Sequence, residues 1–461
     1  MALTQSSTRR GAPAVDTGRR GHRTVYALIV VALIGMHLRL SVETSTGAQV
    51  VPMYPLLLSA ALLSFRVGNE LARRAGQLIV VLAVFLLIEP FVSFAPESAS
   101  VVNLLSALQL LASVLSALII IAVCRTLPRD GLRKLFFGFW VALMVLALLE
   151  SVGLRDVFTS IRDALYFTSQ RGIYSEAARD IVLYGKIRPT ALASEPSYLA
   201  DSYMSMIVAV FLLDPRRGQW SSWVRLGLMV AIGFAIAPSL KIVFYLLALG
   251  IWILWPRTPK RLALAGVALS TVFFVMFVTF EFSLGSVLTR FGLGETGSFF
   301  GRIAVAPQIG LEAVTNHPVL GYGVGNTDGL LPVIDEAWQS SGAYARFPWY
   351  QGLGPSELMS NGFWWQWAFL GVLGGALLWI LLVKILAAMG VEHPLRSIVC
   401  AWVVWYSGFA FVDPASWFVL ALFVVPVVTK TLDASTVPSG APTGTVRGRT
   451  GRTVEPRVVG S

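Results

Sequence analysis

Residues 101–124 read VVNLLSALQLLASVLSALIIIAVC, 24 positions without one charged side chain. A helix needs roughly 20 mostly apolar residues to cross the hydrocarbon of a bilayer, and this stretch supplies them. Arg125, Arg129, Arg133 and Lys134 follow immediately, and the next apolar run opens at 135. An apolar run, a short basic connection and another apolar run make up the repeating grammar of a chain threaded through a membrane.

Worked outward, the same grammar covers most of the chain. Apolar runs fall at about 25–38, 50–65, 77–95, 101–124, 135–154, 197–213, 226–240, 241–256, 262–280, 361–383, 397–412 and 415–429. With the N-terminus placed inside, the inner connections and the two tails hold 25 of the 36 basic residues, among them Arg66, Arg73, Arg74, Arg216, Arg217, Arg225, Arg257, Lys384 and Arg396. That asymmetry fixes the expected orientation, with both termini cytoplasmic. Composition agrees: 56% of residues are hydrophobic and 13% charged, about half the charge of a soluble domain. The net charge of +11 lies in loops and tails, not in a basic stripe interleaved with aromatics, so nucleic acid is not the expected partner. Cys124 and Cys400 read as buried small apolar residues near inner span ends. The expectation is an all-α polytopic protein of about twelve spans, with a membrane domain at 25–430 between disordered tails at 1–24 and 431–461.

Two long polar stretches break the spacing, at about 155–196 and 281–360, and both fall outside. Leu154, Val157, Phe158, Ile161 and Leu165 recur at helical spacing, as do Ile303, Val305, Ile309 and Val314. Short amphipathic helices on the membrane surface are the expectation. Ionisable residues inside the apolar runs, namely Glu89, Glu150, Asp201, Lys241, Glu281 and Asp413, all map toward the outer ends of their spans. Charges in a bilayer are costly and mark sites, or, near span ends, snorkel to the headgroups.

Three strings carry chemistry-bearing residues. In Arg188 through Ala200, Ser194 reads as a helix N-cap with Glu195 and Pro196 in the first turn. Alternatively, Glu195 faces an outer cavity beside Arg188. Ser239-Leu240-Lys241 opens a span. Gly301-Arg302 leads to His317-Pro318-Val319-Leu320-Gly321-Tyr322-Gly323, where Arg302 reads either as an interfacial arginine on lipid phosphates or as a guanidinium gripping a diphosphate, and His317 as a turn residue. The glycines read as a turn, not a dinucleotide fingerprint, because no strand precedes them and no helix opens at Gly325. The four histidines, His22, His37, His317 and His393, are scattered and no Asp-x-Asp pair occurs, so no metal or other cofactor is expected.

With the segment from Ser360-Asn361 to Gly371 and Gly374, these strings resemble the O-antigen polymerase and ligase family, the Wzy-like integral membrane glycosyltransferases. The likeness spans roughly 188–375. It implies a transfer on the outer face between polyprenyl-diphosphate-linked oligosaccharides, with a chain-length regulator as a further partner beside membrane lipids. Arg188, Lys241 and Arg302 would then neutralise the departing diphosphate, and Glu195 or His317 would take the acceptor's proton. Ligases of the family carry a histidine where this chain has Ser360, and the family's Ser-Arg pair is Ser-x-Lys here, ending at Lys241. Polymerase is therefore the first expectation, ligase the second. A transporter or flippase is the reading from another class, which the lack of an internal repeat disfavours.

Overall fold

A computed structural model describes residues 17–43, 49–93, 100–166, 180–181, 185–255 and 300–435. It is mostly helical. Helix α1 (Thr17–Leu38) leads through a small hairpin, β1 (Val42–Glu43) with β2 (Gln49–Val51), into α2 (Tyr54–Val92). Helices α3 (Ser100–Arg125) and α4 (Arg129–Leu149) follow, and a wide turn at Glu150–Leu154 joins α4 to α5 (Arg155–Leu165). Next come α6 (Pro196–Leu212), α7 (Trp220–Ile236) and α8 (Lys241–Leu254). The last third holds α9 (Ala306–Asn316), α10 (Thr327–Ser340), α11 (Gly362–Ala388), α12 (Pro394–Trp405) and α13 (Pro414–Ser435).

Among the described residues, four helical runs are long and apolar enough to cross a membrane: Tyr54–Val92, Val101–Arg125, Arg129–Leu165 and Gly362–Ala388. Shorter apolar helices join them, α6, α7, α8 and α12 among these. Large apolar side chains face outward, with Phe65 at 87% and Leu254 at 82% exposure, a surface that suits lipid rather than water. Helix α6 is the axis of the bundle. Every residue from Leu199 to Leu213 is buried, and α1, α4, α7, α8 and α13 pack around it. A charge on α6 must therefore find its partner inside the protein.

The expected spans at 50–65 and 77–95 are one helical run, not two runs divided by a loop. The intervening residues favour helix, and Arg74 pairs with Glu70 one turn away at 2.9 Å. A straight helix of 39 residues would extend about 58 Å. Yet Val50, just before it, accepts from Gln109 of α3, while Ser93, just after it, lies with Asn103 of α3 against Gly323. Glu70, at the middle, reaches Arg125 at the far end of α3. The run bends back about its polar centre.

Other boundaries move as well. Helix α1 begins at Thr17, inside the stretch expected to be a tail, and α13 reaches Ser435. A helix does open just past Gly325, at Thr327, capped by the Asn326 side chain on Gly329 N. The expected run at 262–280, Glu281, and residues 1–16 and 436–461 of the tails lie outside the described residues.

The Gly321–Gly323 string is an architectural joint. Helix α11 breaks at Gly371, where φ is 61°, and the string enters the break. Val372 N donates to Pro318 O and Gly374 N to Val319 O on one side; Tyr322 N donates to Ala368 O and Gly323 N to Phe369 O on the other. A Cβ on Gly321 would lie 2.6 Å from Gly371 N, so two backbones touch where no side chain fits. Polar backbone freed by a broken helix is re-satisfied inside the protein, as a membrane interior demands.

Candidate functional site

The site is built on the first turns of α6 and α8 and the residue after α1. Asp201 of α6 is 3% exposed. Its Oδ2 accepts from Arg39 Nη2 at 2.9 Å and from Lys241 Nζ at 2.6 Å. Arg39 follows the last residue of α1 in the left-handed region, φ 52°, a conformation that costs about 1–2 kcal/mol for a residue with a Cβ. Its fixed partners offset that strain. The guanidinium stacks 3.7 Å from the Tyr198 ring centroid and 5.4 Å from that of Phe409. Burial opposes the charge on Arg39, and Tyr198, Asp201, Asp413 and Glu195 outweigh it.

Lys241 is held from both sides. Ser239 Oγ accepts from its backbone N at 3.3 Å, and Tyr245, one turn on, ties α8 to α6 through Ser205 Oγ and Asp201 O. Arg302 approaches from the turn Phe300–Ala304 and, with Arg39, bears on the Lys241 charge. Asn361 fixes that turn. Its Oδ1 caps α11 by accepting from Phe363 N and Trp364 N, while its Nδ2 donates to Arg302 O at 2.6 Å and to Tyr406 O at 3.2 Å. Gly408, φ 122°, gives the Arg302 side chain its room, since a Cβ there would sit 3.0 Å from Nε.

Among the described residues, three buried polar atoms of this cluster have no protein partner: Arg39 Nε, Arg302 Nε and Asp201 Oδ1. Buried donors left unpaired are expensive unless something else satisfies them. Two of the three are guanidinium donors, which cannot accept a bond and cannot be discharged. The arrangement can therefore hold an anion with several oxygens.

Glu195 enters the same cluster differently from the sequence expectation. It is itself the residue before α6, and Ser194 does not cap the helix. Ser197 Oγ donates to Glu195 Oε2 at 2.9 Å. The preceding loop is strained and clamped: Ala191 and Leu192 have φ of 48° and 74°. Glu150 accepts from Thr190 N at 2.9 Å and Ala191 N at 2.7 Å, and the His37 ring, 2.8 Å from Ala191 O and 3.0 Å from Ser202 Oγ, closes it from α1. Tyr166 donates its hydroxyl to Leu38 O, and burial pushes that phenol up, keeping it a donor. Backbone strain held this firmly is a feature of functional loops.

Of the residues singled out in the sequence, Glu195, Lys241 and Arg302 come together. The Arg188 guanidinium engages Asp180 through Nε and Nη2, each 2.9 Å from Oδ1. His317 sits edge-on to Tyr322 at 4.4 Å, where the Gly321 string meets Gly371, ten residues along α11 from Asn361 and so about 15 Å away by helical rise. Arg39 was not singled out. Its signal was available: a lone arginine at the expected outer end of an apolar run goes against the inward bias of basic residues. The chain matches no family model, no curated protein and no solved structure.

Proposed function

We propose that the protein polymerises polyprenyl-diphosphate-linked oligosaccharide repeat units on the outer face of the cytoplasmic membrane, through about twelve spans with both termini inside. One observation carries this reading: Arg39, Lys241 and Arg302 converge, with unpaired guanidinium donors, beside the half-buried carboxylate of Glu195. The strings that bear the resemblance supply three of these four residues.

In this reaction a hydroxyl of the incoming repeat unit attacks the anomeric carbon of the growing chain. The bond from that carbon to the diphosphate oxygen breaks, and the diphosphate leaves with the electron pair. Its charge develops where the cations stand, which is where preorganised donors lower a barrier most. The acceptor's proton passes to Glu195, whose position is fixed by the clamped loop before it. His317, at the joint with α11, serves architecture. Arg188, engaged by Asp180, stabilises the loop that leads to Glu195. The isoprenoid chain lies along the lipid-facing flank of the bundle.

The test is the size distribution of lipid-linked and surface glycan in cells that carry Arg302→Ala in place of the wild-type protein. Single repeat units in place of a ladder are expected. An unchanged ladder would sink the clamp role. Full-length polymer left on its lipid carrier would instead mark a ligase.

A further inference from the structure

The opposite end of α8 carries a second cationic assembly that the proposed reaction does not use. Trp252 lies eleven residues from Lys241 and is 6% exposed. Two guanidinium groups stack on its ring, Arg396 of α12 at 4.1 Å and Arg217 of the α6–α7 turn at 5.0 Å. Arg217 Nη1 donates to Leu212 O, and Arg129 donates to Leu213 O and Leu212 O, so both cap the carbonyl end of α6. After those bonds, two buried donors on adjacent groups still lack an acceptor, Arg396 Nε and Trp252 Nε1.

The electrostatics differ from those of an internal ion-pair network. Burial disfavours the charge on Arg217 and Arg129 adds repulsion; burial disfavours the charge on Arg396 and Arg217 adds repulsion there too. Glu392 is the carboxylate that bears on Arg396, and Asp214 nearby is already shared by Arg133, Arg225 and Ser222. Unpaired donors only, with an excess of positive charge, call for a ligand that accepts bonds and is anionic. Exposed apolar side chains adjoin the pair in sequence, Leu254 two residues from Trp252 and Leu395 beside Arg396. A phosphate that ends an apolar body has this shape.

We propose that Arg217, Arg396 and Trp252 form a binding site for an anionic phosphate, supplied by a phospholipid headgroup. Guanidinium groups donate paired hydrogen bonds to phosphate oxygens, and basic pockets between spans hold anionic headgroups. The site is independent of the glycan reading.

The experiment uses the delipidated full-length protein in neutral detergent, with bound lipid counted by native mass spectrometry and the melting midpoint followed in parallel. The probes are phosphatidylglycerol, diacylglycerol and inorganic phosphate. Retention of phosphatidylglycerol with a raised midpoint, and no effect of diacylglycerol, is the expected result. The double substitution Arg217→Gln with Arg396→Gln should weaken that binding by tenfold or more, and Trp252→Phe, which removes only the N–H, by a smaller factor. A response to inorganic phosphate equal to that to lipid would keep the phosphate site and assign it to a free anion. Equal retention of diacylglycerol and phosphatidylglycerol, or undiminished binding in both variants, would overturn the proposal. Trp252→Phe keeps the test decisive if the double variant does not fold.

Discussion

The two ends of α8 use the same materials, cationic side chains laid over aromatic rings, and wire them in opposite ways. At the Lys241 end a buried carboxylate, Asp201, sits between two cations, and Glu195 and Asp413 add negative charge around Arg39. At the Trp252 end Arg217 and Arg396 repel one another, and Arg217 and Arg129 lean on backbone carbonyls. The first arrangement is closed: its cations are held in place before any ligand arrives, which is what transition-state stabilisation requires. The second is open, and depends on charge from outside the chain. On the proposed readings, a positive cluster serves reaction or ligand binding according to whether the protein supplies its counter-charge.

Breaking the carboxylates tests this contrast most strongly. Asp201→Ala should destabilise by about 3–5 kcal/mol, because Arg39 and Lys241 are left buried without their partner. Asp214→Ala at the other end should cost less, since Arg225, one of its cations, is 45% exposed and can be hydrated. Equal losses in chemical denaturation would break the distinction. Glu150→Gln should cost roughly 1–3 kcal/mol, by weakening the acceptor for Thr190 N and Ala191 N. It should also lower turnover, since the loop carries Glu195.

Smaller effects sharpen the picture of the strained loop and the outer helices. Ala191→Gly should raise stability by about 1 kcal/mol, because glycine accepts a φ of 48° without the clash a Cβ creates. Glu312 of α9 gives a pH test. Burial and then Glu336 raise its pKa above the ordinary glutamate value. The folded state thus holds the proton more tightly than the unfolded chain, and the penalty grows as pH rises through the raised pKa. Glu312→Gln should raise the melting midpoint slightly at neutral pH, with the gain vanishing below about pH 4. A gain that is independent of pH would refute the electrostatic cause.

Particular residues show what the sequence could and could not convey. Apolar runs such as 101–124 are legible because lipid selects for length and composition alone. Their division is less so: residues 66–76 are polar enough to suggest a loop, but they keep helical geometry and still turn the chain. Lys241 and Arg302 were legible as lone charges in special places. Arg39 and Asn361 gain their roles from contacts 162 and 59 residues away in sequence, which no local pattern records. The surroundings of His317 were not legible, because they depend on the break at Gly371, where two distant glycine strings cross.

The most direct test of the central claim is head-group-selective binding to the purified protein. A polyprenyl diphosphate, the monophosphate and the free alcohol of one chain length would be titrated against wild type and against Arg39→Gln, Lys241→Gln and Arg302→Gln. The diphosphate is expected to bind most tightly, weakened about tenfold or more by each substitution, with the alcohol unaffected. Equal affinity for the three head groups, or diphosphate binding untouched by all three substitutions, would contradict it.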